Sequence, residues 1–116
     1  VSARGARVVI TTDHGSVRVQ KPVKVVGDRQ TSMNLRYKTG RNLNYNPREV
    51  FELTAPAKAG LPMMNITSRY IFAFANDFLV YPNNYNNVVA HYRDSYQHGG
   101  ISLQEMMLPL VSLEPV

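Results

Sequence analysis

The apolar run Val8-Val9-Ile10 ends on Thr12-Asp13-His14-Gly15. Arg7 to Thr12 therefore predicts a strand that is apolar on both faces, and such a strand needs cover on both sides, as inside an α/β sheet. It also sets a carboxylate beside an imidazole at a strand's carboxyl end, the edge where open α/β sheets place their sites. Neighbours within a strand point to opposite faces. At the strand end, the turn that Gly15 permits lets Asp13 and His14 converge. An oxygen and an imidazole so placed are a ligand pair for one metal ion. The same tetrapeptide also fits a plain turn, with Asp13 as its cap and His14 on the surface.

A second histidine motif lies near the other end of the chain, at His98-Gly99-Gly100. Ser102-Leu103-Gln104-Glu105 follows as a capping box, which anchors the glycine turn on a helix start. His98 is read as a third metal ligand, or alternatively as a turn histidine whose glycines supply backbone freedom. His91, with no acidic or histidine partner at ligand spacing, is read as structural or exposed. If both segments line one cleft, the chain carries part of a zinc-type hydrolytic site, and only part, because Asp13, His14 and His98 are too few for a two-metal centre.

Between these motifs the pattern alternates strands and short helices. Ser16 to Gln20 reads as a half-buried strand, and Pro22 marks an edge strand or bulge before Val23 to Val26. Gly27 to Tyr45 is polar and without a clean period. Asn46-Pro47-Arg48-Glu49 carries helix-start signals and predicts a helix over 47–53. Tyr70 to Ala75 and Phe78 to Tyr81 flank Asn76-Asp77, a hairpin signal. Asn86 to Arg93 predicts a short helix, and Met106 to Leu113 a terminal strand. The expected class is α/β, with a central sheet and a β-hairpin. The nearly all-apolar first strand suggests the tail end of a larger domain, with strands that pair with another copy or with an absent segment.

The 116 residues include no cysteine, which excludes disulfides and thiolate metal sites and favours zinc or manganese on His and Asp ligands. No run approaches the roughly 20 apolar residues that span a bilayer, and Val1 to Arg7 has no secretory pattern. A cytoplasmic location without membrane contact is expected. Thirteen Lys and Arg against eight Asp and Glu give a net charge of +5, with the excess early in the chain. That field attracts phosphates or simply forms a solvated basic face. Arg36, Lys38 and Arg41 are candidates to grip phosphate, and Tyr37 and Tyr45 to stack on bases.

The two motifs in this order resemble the end of the alkaline phosphatase superfamily. Tyr96-Gln97-His98-Gly99-Gly100-Ile101-Ser102-Leu103-Gln104-Glu105-Met106-Met107-Leu108-Pro109 is closer still to the tails of PglZ domains. Val9 to Gly15 together with Asn34-Leu35-Arg36-Tyr37-Lys38 is similar to PorX-like response regulators, in which a receiver domain precedes a PglZ effector domain associated with type IX secretion. The resemblance implies a carboxy-terminal portion of an alkaline-phosphatase-like domain, with its receiver domain and first part absent. It implies that Asp13 and His14 bind the zinc that contacts the nucleophile, and that His98 binds a second zinc that activates water. The substrate implied is a phosphodiester such as an oligonucleotide, and the implied partners include secretion-system regulators. In this family the nucleophile lies upstream of the Asp-His pair, so no catalytic nucleophile is expected among these residues, and Thr11 and Thr12 are not substitutes. The alternatives are a regulatory or dimerisation module with structural zinc, and plain nucleic-acid binding through the basic half.

Overall fold

The computed structural model describes residues 2–28, 31–63 and 65–116. Among them run the strands β1 (Val8–Thr11), β2 (Val17–Arg18), β3 (Lys21–Lys24), β4 (Tyr37–Gly40), β5 (Val50–Leu53), β6 (Arg69–Ala73), β7 (Asp77–Val80), β8 (Tyr96–Gln97) and β9 (Leu110–Leu113). Two helices, α1 (Tyr85–Tyr92) and α2 (Leu103–Met106), accompany short 3₁₀ turns at Ser2–Arg4 and Pro56–Ala59. The strands form small sheets: β1 with β9, β2 with β8, β3 parallel to β7, and β4-β6-β5.

β7 is the interior strand. Val23, Val25, Val50, Ile71, Ala73 and Leu79 make one apolar cluster, while Val17, Val19, Phe78, Val80 and Val89 make another. Leu79 therefore faces one cluster and its neighbours Phe78 and Val80 face the other, as the two-residue period of a strand requires. Helix α1 closes the second cluster through Val89. Beside β7, the backbone at Leu35 and Arg36 links two sheets: Leu79 N donates to Leu35 O at 2.7 Å, and Ala73 N donates to Arg36 O at 2.9 Å.

Several expectations change on this frame. The hairpin across Asn76-Asp77 does not form. A tight turn is present, with Asp77 N donating to Phe74 O at 2.8 Å, but both edges of β6 are already taken by β4 and β5. With no edge left on β6, β7 crosses to β3. The expected helix over 47–53 is one turn followed by β5. Asn46 caps that turn, its Oδ1 accepting from Arg48 N at 3.1 Å, because a single turn and a helix start share the same capping chemistry. Val50-Phe51 then favour a strand. The single central sheet is resolved into small sheets, and the polar stretch 27–45 contains β4. β1 is not buried: it pairs with β9, and Ile10 and Leu110 stand 53% and 76% exposed.

The expected α1 and β9 form, and Pro22 lies in β3, which pairs with β7 alone. No helix among the described residues is long and apolar enough to cross a membrane.

Phe78, wholly buried between β7 and α1, tests this arrangement. Phe78→Ala should destabilise the fold by about 3–5 kcal/mol, whereas Phe74→Ser on the exposed side of the turn should shift it by less than about 0.5 kcal/mol. Urea denaturation of both variants checks the contrast, and equal losses would contradict the assignment of β7 as the core strand.

Candidate functional site

The site is assembled around a carboxylate. Glu105 is the N3 residue of α2, and its capping box with Ser102 is complete. Its Oε2 accepts from Ser102 N at 3.1 Å and Ser102 Oγ at 2.7 Å, and its Oε1 accepts from Gly100 N at 2.9 Å. Arg36 completes the shell, with Nε donating to Oε1 at 2.8 Å and Nη2 to Oε2 at 3.0 Å. Arg36 Nη1 donates to Asp77 O at the start of β7. The side chains of Arg36 and Glu105 are 0% and 1% exposed. This is a two-pronged guanidinium–carboxylate bond, the strong kind, with every acceptor site of the buried anion used.

Burial by itself raises the Glu105 carboxyl. The bonds from Arg36 and Ser102, the Arg36 charge and the Gly100 amide outweigh it and hold the group below the ordinary carboxylate value.

Glu105 sets both histidine turns. Its side chain grips Gly100, two residues after His98, and its backbone carbonyl accepts from Gly15 N at 2.9 Å, one residue after His14. The approach at Gly15 is close enough that a Cβ there would lie 1.9 Å from Gln104 O, so glycine is required by space. Gly99 adopts φ +100 and passes against Asn34, whose Nδ2 donates to His98 O at 3.3 Å.

The result is a histidine pair. The His14 and His98 rings stack with centroids 3.7 Å apart and planes 12° from parallel. His14 Nδ1 lies 2.8 Å from Gly15 O. A carbonyl can only accept, so Nδ1 carries the proton. His14 Nε2 then faces Asp13 Oδ1 at 3.7 Å. Asp13, His14 and His98 thus come together from opposite ends of the chain. His91 stands apart on exposed α1, edge-on to Tyr92 at 4.6 Å.

Residues 1–113 match the family described as the BREX system PglZ alkaline phosphatase-like domain. The chain belongs to the PglZ family. No curated protein matches it. The family's description places it among alkaline phosphatase-like domains.

Two imidazoles and a carboxylate are donor types that zinc accepts. They do not complete a site by themselves: among the described residues no group of three or more His, Cys, Asp or Glu is disposed to hold a metal ion. Imidazole lone pairs lie in the ring plane, so two nearly parallel rings aim their nitrogens side by side rather than at one point. The hydroxyls at the end of β1 are engaged, Thr11 Oγ1 with Pro109 O at 2.8 Å and Thr12 Oγ1 with His14 O at 3.0 Å.

The basic residues expected at phosphate separate. Arg36 is closed off in the Glu105 pair and presents no guanidinium to a ligand, a correction that follows from its burial. Lys38 in β4 is buried as well, with Nζ 4.1 Å from the Tyr81 ring centroid. Arg41 is exposed just beyond β4. Tyr37 stacks on Tyr70 at 6.1 Å, and Tyr45 packs against the first apolar cluster, so both serve as packing anchors. The role of Glu105 beyond the capping box was not legible in its motif. The available signal was Arg36, a single arginine between Leu35 and Tyr37.

Glu105→Gln leaves a buried guanidinium without its charge partner and should cost about 3–5 kcal/mol at pH 7. Because the folded carboxyl is held low, the stability it contributes is complete above the unfolded value of about 4.3. That contribution is lost as pH falls through the folded value. The gap between wild type and Glu105→Gln should therefore close below pH about 4. Denaturation curves across pH check this, and a pH-independent gap would contradict it.

Proposed function

We propose that this PglZ chain contributes Asp13, His14 and His98 to a zinc-dependent phosphoesterase centre. The observation that carries the reading is the stacked pair of histidines delivered by turns at opposite ends of the chain. Proximity alone does not name a metal; two further features support one. His14 Nε2 and Asp13 Oδ1 lie 3.7 Å apart on the side of the ring away from the Nδ1 bond to Gly15 O, an imidazole nitrogen and a carboxylate oxygen within reach of one cation. The carbonyl on Nδ1 is the kind of outer partner that orients metal-bound imidazoles. The side-by-side rings suit two ions, one for Asp13 with His14 and one for His98. The remaining ligands and the nucleophile come from outside these residues in this reading, from a longer chain or a second copy. Bound zinc would supply Lewis acidity and an activated oxygen nucleophile, and phosphodiesters, including oligonucleotides, are the proposed substrates, with exposed Arg41 as a phosphate contact.

The finer reading is a PorX-like effector domain of a response regulator in type IX secretion, cytoplasmic in a bacterium. Its support is the resemblance of Val9 to Gly15 and Asn34 to Lys38.

A second reading is a non-catalytic docking module with structural metal. The exposed apolar faces of the β1–β9 ribbon, including Val9, Ile10, Leu110 and Val111, favour it, because apolar ribbons of this kind seek a partner.

Zinc titration by calorimetry tests the first reading. The chain should take up zinc, and His14→Ala or His98→Ala should each weaken uptake at least about tenfold, a loss of about 1.4 kcal/mol. His91→Ala should leave uptake unchanged. Equal uptake by all four proteins would overturn the site. Zinc bound at these residues with no turnover of bis(4-nitrophenyl) phosphate by a protein that completes the centre would move the assignment to the docking module.

A further inference from the structure

Away from the histidine pair, a cavity of about 530 Å³ opens between β4, the end of β7 and α1. That size falls within the range of small-molecule sites, about 300–1,000 Å³. Leu35, Leu79, Val88 and Tyr92 give it apolar walls, and among the described residues that line it Lys38 is the one cation. Lys38 is 1% exposed. Among the described residues its ammonium has neither an ion pair nor a hydrogen bond; its contact is the face of Tyr81, 4.1 Å from Nζ to the ring centroid.

A buried ammonium without an anion is costly, and the cost is visible: burial pulls Lys38 down to about 8. The neighbouring hydroxyls do not relieve it. Tyr81 donates to Ser32 O at 2.7 Å, and Thr31 Oγ1 donates to Asp28 Oδ1 at 3.3 Å. An unpaired cation set in an apolar cavity is half of a recognition site.

We propose that this cavity binds a small organic monoanion, a carboxylate on an apolar or aromatic body, with Lys38 as its charge partner. Among the described residues the lining holds a single cation, Lys38, so one negative charge on the ligand matches it. The apolar walls take the body of the ligand. The anion would return to Lys38 the partner that folding removed, and the Tyr81 ring would keep the ammonium in place from behind. None of the lining residues belongs to the histidine pair, so this site stands or falls independently of the phosphoesterase reading.

The test uses 4-phenylbutyrate, its uncharged analogue 4-phenylbutyramide and phenyl phosphate, titrated into the chain by NMR. Phenylbutyrate should saturate, and the amide should bind at least about tenfold more weakly. Affinity for the carboxylate should fall between pH about 7 and about 9.5 as Lys38 loses its proton. Lys38→Met should lose at least about tenfold in affinity while unfolding cooperatively at no lower urea concentration than wild type, since it removes a buried unpaired charge. Equal binding of acid and amide, or of wild type and Lys38→Met, would overturn the proposal by showing a plain apolar groove. Tighter binding of phenyl phosphate at pH 8 would overturn the monoanion assignment, and no saturation by about 10 mM, a binding energy below about 3 kcal/mol, would overturn the site.

Discussion

Arg36 and Glu105 meet where water is excluded, and most of the molecule's functional geometry follows from that contact. A buried pair of this kind is not a large net source of stability, because desolvating both ions offsets most of their attraction. Its effect is positional. Neither ion can leave its partner without stranding a charge, so α2 is held against the start of β7, where Arg36 also bonds the Asp77 carbonyl. With α2 fixed, the amides of Gly100 and Gly15 find their acceptors on one residue, and the two histidine turns have nowhere to go but toward each other. The glycines are the steric counterpart: Gly15 and Gly100 both lie so close to α2 that a side chain would collide with its backbone or with the Glu105 carboxylate.

This explains which parts of the fold could be read from the sequence. Strong local signals were legible: the capping box at Ser102, the short helix expected over Asn86 to Arg93, and the edge strand that was one of the two readings of Pro22. Signals shared by two structures were not. Asn46-Pro47 starts a turn as readily as a helix, and only the β propensity of Val50-Phe51 decides between them. The hairpin failed for a non-local reason, since nothing near Asn76 reveals that β4 and β5 occupy both edges of β6. Arg36 and Lys38 looked like surface cations because charge usually is, and their burial depends on a partner 69 residues away in one case and on a cavity wall in the other.

The candidate site was legible as chemistry before it was legible as structure. Asp13-His14-Gly15 and His98-Gly99-Gly100 carry residues that metals use and glycines that tight approaches use. The capping box marks Glu105 as the anchor of the His98 turn, but nothing local shows that the same residue also holds Arg36 and the His14 turn. The two lysine and arginine positions then part company: one is structural mortar for the histidine turns, and the other is an unbalanced charge facing a cavity. The same basic stretch thus feeds two separate features of the molecule, neither of which is a solvated phosphate grip.

The account rests on His14 and His98 facing each other in the folded chain. Two-dimensional NOE spectroscopy on the folded protein measures this directly. Rings stacked at 3.7 Å predict clear cross-peaks between the carbon-bound ring protons of the two histidines, lost in Glu105→Gln under conditions where that variant remains folded. A folded wild-type chain showing the Phe78 to Val89 core contacts but no His14 to His98 cross-peak would contradict it.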